Sequence, residues 1–179
     1  IWVMKHWSNT PSQLITSIYC FAGISSCFMS EHAVAVILFP IIHEIAQSLN
    51  LKRENSVFAK AMYFAMAWGC IIGGAMTVLG GGRVPLAVEM LEKSTAGRET
   101  IGILQYTQLS FPLVLMMFAG GWVALKFLFP PDIEDIEAAR KTLKQKSHVM
   151  GKLTFQEKGI ALVMLMTLFS WFVFGAQLG

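Results

Sequence analysis

The sequence predicts an all-α, polytopic membrane protein built on a re-entrant helical hairpin followed by a discontinuous transmembrane helix. Three observations lead there. Hydrophobic residues make up 55% of the 179 positions and charged residues only 14%, with a mean hydropathy of +0.57. The charges cluster, leaving apolar spans over 61–82, 101–125 and 159–178, each near the ~20 residues a helix needs to cross a bilayer. A fourth apolar stretch, 11–47, carries Glu31 and His32 side by side near its middle. An ionisable residue at membrane depth is costly, and by default it marks a functional site. The competing reading of that pair is an inward-facing polar contact that only packs a helix bundle.

The chain begins at Ile1 without the basic, apolar and cleavage-site pattern of a secretory signal. With its last apolar run still open at Gly179, it reads as an internal piece of a longer protein. Cys20, Cys27 and Cys70 lie in apolar spans without metal-ligand or CxxC spacing, so they read as small packing residues. The net charge of +3 comes without a basic run interleaved with aromatics, and no nucleic-acid partner is expected.

Taken in order, residues 1–7 look like the end of a membrane segment, with Trp2, Lys5, His6 and Trp7 suited to the interface. Ser8-Asn9-Thr10-Pro11 supplies a turn and a helix start, with Ser or Thr as cap and an early proline. Residues 12–47 are too long for one straight crossing and too short for two. As one helix they would reach about 54 Å at ~1.5 Å per residue, against ~30 Å of hydrocarbon. Two half-length helices meeting at residues 29–32 fit better, with the polar tip buried in protein or lining a cavity.

After the polar connection 50–55, the span 56–91 is interrupted by Gly69, Gly73-Gly74 and then Gly80-Gly81-Gly82-Arg83-Val84-Pro85. Glycine costs about 1 kcal/mol and proline about 3 kcal/mol in a helix interior relative to alanine. The sequence therefore predicts a broken helix, unwound over 77–84 and resuming near Pro85. Small-residue packing explains Gly69 and Gly73 but not the triplet with its arginine. Residues 101–129 form a full crossing that Pro112 is expected to kink. Residues 132–150 read as an amphipathic linker helix, with Ile133, Ile136 and Leu143 on one face. Its acids (Asp132, Glu134, Asp135, Glu137) come early and its bases (Arg140, Lys141, Lys144, Lys146) late, as the helix dipole favours. A truncated crossing over 157–179 ends the chain.

Charge sets the orientation. If 12–47 is a hairpin, one side holds Lys5, Lys52, Arg53, Lys60, Lys126 and the bases of 140–158, and the other only Lys93 and Arg98. The basic side, with 50–55 and 130–158, is expected to be cytoplasmic, in a plasma or inner membrane. A full crossing over 12–47 would spoil this partition.

A hairpin followed by a broken helix is the arrangement of secondary transporters, where half-helix N-termini face anions and unwound carbonyls hold coupling cations. Residues 29–41, Met-Ser-Glu-His-Ala-Val-Ala-Val-Ile-Leu-Phe-Pro-Ile, stand in the place of the Ser-Asn-Thr hairpin tip of the divalent anion/sodium symporter family. Residues 72–84, with Gly73-Gly74-Ala-Met-Thr77 and Gly80-Gly81-Gly82-Arg83-Val84, stand in the place of its Gly-Gly-Thr-x-Thr-x-x-Gly-Thr-x-Pro-Asn loop. Residues 151–158 resemble the segment before its next scaffold helix. The chain thus resembles that family and its wider relatives, the arsenite exporters and sodium–proton antiporters. It departs from the signature where Glu31 and His32 replace Asn and Thr, and where Val84 replaces the loop asparagine.

The resemblance implies half of an inverted-repeat transporter, with a second repeat elsewhere in the same protein and a homodimeric assembly. It implies secondary transport of a small, di-anionic solute, carboxylate or sulfate-like, coupled to sodium or protons, with no other cofactor. Substrate is expected at Ser30, Glu31, His32, Thr77 and Arg83, and the coupling ion at Ser30, Glu31, Gly73, Gly74, Thr77 and Gly80. Glu31 would repel a carboxylate unless protonated or paired, and Arg83, the one base in the broken-helix loop, is its expected partner. With His32 able to change charge near neutral pH, transport is expected to be more pH-dependent than an Asn/Thr tip would give.

Other classes remain open. An arsenite-type or sodium–proton antiporter, or a non-transporting membrane subunit, would share most of these features. A metal-dependent intramembrane enzyme using Glu31-His32 and His43-Glu44 is disfavoured by spacing. His32 and His43 on one helix lie about 16 Å apart, beyond a shared metal with ligands at ~2 Å.

Overall fold

The computed structural model describes residues 10–51, 56–98, 101–133, 136–150 and 154–175, all in helices and their connections. The expected interfacial segment 1–7, most of the Ser8-Asn9-Thr10-Pro11 turn, and Lys52, Arg53, Glu134 and Asp135 lie outside the described residues.

Helix α1, Pro11–Phe28, starts as the sequence predicts. The Thr10 hydroxyl accepts from the Gln13 amide, the Gln13 side chain accepts from the Thr10 amide, and proline occupies the first turn. This reciprocal box satisfies two helix-start donors at once. Met29 and Ser30 leave helical geometry, and α2, Glu31–Ser48, begins directly after them. Helix α3, Val57–Gly74, is capped by the Ser56 side chain on the Ala59 amide. The chain is then non-helical over 75–82 and resumes as α4, Arg83–Ser94. The break is thus where the glycines predict it, two residues early, because Pro85 fits the first turn of α4 rather than preceding it.

Helix α5, Ile103–Leu128, runs continuously through Pro112. Helix α6, Glu137–Met150, begins five residues later than the sequence suggests. Pro130-Pro131 precede it, and the Asp132 carboxylate is engaged elsewhere. Asp132 accepts from the Val57 and Phe58 amides at 2.9 Å each, capping α3 across more than seventy residues of chain. Helix α7 spans Phe155–Gly175.

Small residues fix how α1 and α3 lie. A methyl group on Gly69 would come within 2.6 Å of the Tyr19 carbonyl oxygen, and one on Gly73 would collide with the Gly23 backbone. Both contacts pair residue i with i+50, so α1 and α3 run parallel at backbone-to-backbone distance. Helix α2 runs the other way. Its start bonds to Gly80, with the Glu31 amide donating to the Gly80 carbonyl at 2.9 Å. Its far end reaches Tyr63 through His43 at 3.3 Å. The chain therefore reverses at Met29–Ser30. Helix α5 lies antiparallel to both α1 and α3. The Tyr19 hydroxyl donates to the Phe118 carbonyl at 2.9 Å, and the Ser110 hydroxyl donates to the Met76 carbonyl at 2.9 Å.

The core between α1, α2 and α3 is filled by Leu14, Ile18, Tyr19, Leu38, Ile42, Ile45, Phe58 and Met62, joined by Ile136 and Ala139 beside α6. Large apolar side chains on the outer faces of α5 and α7, including Leu113, Met116, Phe127 and Phe169, are exposed instead. Two described helices, α3 and the Leu104–Leu128 stretch of α5, are long and apolar enough to cross a membrane.

Candidate functional site at the junction of two helix breaks

The reversal at Met29–Ser30 and the unwound segment 75–82 meet. Among the bonds that join them are the Glu31 amide to the Gly80 carbonyl, the Thr77 hydroxyl to the Cys27 carbonyl at 2.6 Å, and the Arg83 guanidinium to the Glu31 carboxylate. Glycine is required here because the two backbones touch. A methyl group on Gly80 would collide with the Gly74 carbonyl and sit 2.6 Å from the Ser26 carbonyl oxygen.

Glu31 is the centre of the arrangement. It is the first residue of α2, where the helix dipole favours a negative charge. Its side chain is only 9% exposed, whereas that of Arg83 is 63% exposed. The buried carboxylate is thus compensated by a cation that also faces open space. Gly74 and Gly81 form its walls: methyl groups there would approach the Glu31 carboxylate to 3.0 and 3.6 Å. The His32 ring nitrogen Nδ1 lies 3.6 Å from the other carboxylate oxygen, with its side chain 86% exposed.

The residues expected around substrate separate into two kinds. Glu31, His32 and Arg83 share one ionisable cluster. Ser30 is exposed beside them, and its side chain makes no capping bond to α2. Thr77 is at the junction, but its hydroxyl is spent on the Cys27 carbonyl.

Among the residues expected to hold an ion, the Gly73 carbonyl accepts from the Met76 amide at 3.1 Å and the Gly80 carbonyl from the Glu31 amide. Gly73 is also the point where α3 crosses α1. Gly74 remains against the Glu31 carboxylate.

Sequence reasoning missed Ser26. It is fully buried, its hydroxyl has no hydrogen-bond partner among the described residues, and its carbonyl abuts Gly80. An unsatisfied buried hydroxyl calls for an explanation such as an ion. The Ser25-Ser26 pair in an apolar run carries no signal of its own; the position of Ser26 one turn before Ser30 is the hint the sequence offers. His43 and Glu44 do not join the cluster. His43 bonds with Tyr63 and with Gln47 at 3.1 Å, at the opposite end of α2.

Comparisons with known proteins identify the family. The model of the family described as "Sodium:sulfate symporter transmembrane region" matches residues 15–179. The sodium-dependent dicarboxylate transporter SdcS of Staphylococcus saprophyticus is 26% identical over 177 residues, covering 94% of this chain and 34% of the relative. The transporter of the same name from Staphylococcus aureus is 21% identical over 170 residues, covering 90% of this chain and 32% of the relative. The chain spans about a third of the length of these relatives. With a family model matched over nearly its whole length, the chain belongs to the sodium:sulfate symporter transmembrane-region family, a family of integral membrane transporters.

Proposed function

We propose that this chain forms one repeat of a secondary transporter that couples movement of a small di-anion, carboxylate or sulfate-like, to sodium, to protons, or to both. In this reading α1 and α2 form a re-entrant hairpin whose tip is Ser30, Glu31 and His32. Helices α3 and α4 are the halves of one broken transmembrane helix. The observation that carries the proposal is the Glu31–Arg83 pair, which joins the tip to the broken loop through groups that a bilayer tolerates only where they work.

Arg83 is the anion-binding group in this scheme. Its guanidinium presents donors in a fork that matches a carboxylate or sulfate. When the anion takes Arg83, the Glu31 carboxylate loses its counter-charge in a low-dielectric site, and a cation must replace it. Sodium or a proton fills that role, which makes anion binding and cation binding mutually dependent. The buried, unsatisfied Ser26 hydroxyl and Gly74, which lies against the Glu31 carboxylate, are the oxygen ligands we would assign to a sodium ion there. Ser30 and His32 complete the substrate side. Thr77 holds the junction, with its proton on the Cys27 carbonyl and only its oxygen lone pairs free for a cation. Gly73 and Gly80 shape the ion side by keeping the backbones close.

The remainder of the proposal follows from the family. A second, inverted repeat would supply the other half of the site, and two copies of the complete protein would assemble. The linker helix α6 and the 50–55 connection would face the cytoplasm. Uptake of labelled sulfate and of a four-carbon dicarboxylate into proteoliposomes, with imposed sodium or proton gradients, tests the reading. Gradient-driven uptake that Arg83→Gln abolishes supports it; absence of uptake for every anion tried, with the protein correctly inserted, would leave a non-transporting subunit as the better account.

A further inference from the structure

We infer that the end of the bundle opposite the Glu31 site carries a binding site for the phosphate headgroup of an anionic phospholipid, held between the start of α1 and the end of α5. A cleft of about 550 Å³ lies there, lined by Ser17, Thr16, Trp122, Lys126, Leu125 and Phe129 among others, with no carboxylate on its walls. It shares nothing with the site described above, which sits at the other end of α1.

The polar half of the cleft is built rather than incidental. The Trp122 indole N–H donates to the Thr16 hydroxyl at 3.2 Å, and that hydroxyl in turn donates to the Ser12 carbonyl at 2.9 Å. The ring so fixed holds the Lys126 ammonium 5.5 Å from its centroid, a cation–π distance. No carboxylate pairs with Lys126 among the described residues. Ser17, which also lines the cleft, is 5% exposed and makes no hydrogen bond among the described residues. A cation without a carboxylate partner and a nearly buried hydroxyl lining one cleft supply donors for an anionic oxygen.

The apolar half identifies the source of that anion. Ile15, Leu125, Phe129 and Pro131 are the aliphatic and aromatic part of the wall, which Ser12 and Gln13 complete. Next to Trp122 and Lys126 on α5, Val123 and Phe127 are exposed. Lys126 stands in the last turn of a helix long enough to cross the bilayer, so the cleft lies at headgroup depth, with Trp122 on its membrane side and Phe129 and Pro131 beyond Lys126. A tryptophan and a lysine there suit the interface, and anionic headgroups gain from each nearby base. A free phosphate would use Lys126 and Ser17 but leave the apolar wall empty.

Native mass spectrometry of the complete protein, released from mild detergent with added dioleoylphosphatidylglycerol or dioleoylphosphatidylcholine, tests this. The expected result is one retained phosphatidylglycerol in preference to phosphatidylcholine. Lys126→Gln should weaken retention about five-fold, the contribution of one base near the surface, while Lys126→Arg restores it. Lys60→Gln, an exposed lysine on the same side but outside the cleft, should leave it unchanged. Equal retention of the two lipids would overturn the inference. So would loss on Lys60→Gln as large as on Lys126→Gln, or full displacement of the lipid by millimolar inorganic phosphate. Retention of neither lipid would also overturn it, since the cleft would then be filled by another part of the protein.

Discussion

Glu31 and Arg83 fasten the two breaks of this bundle to each other: the buried carboxylate at the start of α2 is paired with the guanidinium at the start of α4. Each group is the first residue of its helix, so the pair joins two helix N-termini that flank an unwound loop. Removing one partner leaves the other exposed to the cost of an unpaired charge, a few kcal/mol when buried. Because Glu31 is the buried member, Arg83→Gln should destabilise more than Glu31→Gln, which leaves only the exposed cation alone. Melting curves of the two purified variants check the order.

The crossing of α1 over α3 gives a second expectation. Gly73→Ala places a methyl group into the Gly23 backbone, whereas nothing lies within 4 Å of a methyl group on Gly120. Overpacking of this kind costs about 1–3 kcal/mol, so Gly73→Ala should lower the melting temperature clearly. Gly120→Ala, in the helical α5, should be neutral or slightly stabilising.

Asp132 sets a pH dependence. Partial burial pushes its carboxyl up, but hydrogen bonds from the Phe58 and Val57 amides, its own amide and the Ser56 hydroxyl outweigh this and hold it below the usual range. A carboxylate depressed in the folded state contributes stability above its unfolded value, ~3.9, and loses that contribution as pH falls through the lower folded value. Asp132→Asn should cost about 0.5–2 kcal/mol, as for loss of a helix cap, and flatten the acid limb of the stability–pH curve below about pH 4. An unchanged acid limb would place the acid sensitivity elsewhere.

Sidedness is tested by single cysteines in intact cells. Positions 52 and 146 should be protected from a membrane-impermeant thiol reagent and position 96 labelled. Strong external labelling at 146 would invert the proposed topology and with it the re-entrant reading of α1 and α2.

How far the sequence foretells this arrangement depends on the range of each interaction. The start of α1 was legible because Thr10, Pro11 and Gln13 are neighbours in the chain. The reversal at Met29–Ser30 was legible from span length and the ionisable pair, and the Glu31–Arg83 contact from the scarcity of charge: one acid at the tip, one base in the loop. Two features were not legible. Asp132 reads locally as the start of α6, yet serves α3 through bonds spanning 74 and 75 residues. Ser26 is one small residue in an apolar run, and only three-dimensional packing reveals its unsatisfied hydroxyl. Gly73 carries two readings, a small packing residue and an ion ligand, and its contact with Gly23 shows the first.

The central claim is that Glu31 and Arg83 form the anion- and cation-binding centre of a transporter, and uptake against pH and sodium tests it most directly. Proteoliposomes holding the complete wild-type protein, Glu31→Gln or Arg83→Gln are loaded at fixed internal conditions, and initial uptake of labelled dicarboxylate and sulfate is recorded from pH 5.5 to 8.5 with and without sodium. The account predicts cation-dependent uptake in the wild type, loss of at least tenfold in Arg83→Gln, and a changed pH or sodium dependence in Glu31→Gln, the tenfold corresponding to about 1.4 kcal/mol of lost anion binding. Uptake that persists in Arg83→Gln, with Glu31→Gln matching the wild type at every pH and sodium concentration, would contradict it and reduce the pair to a structural clasp.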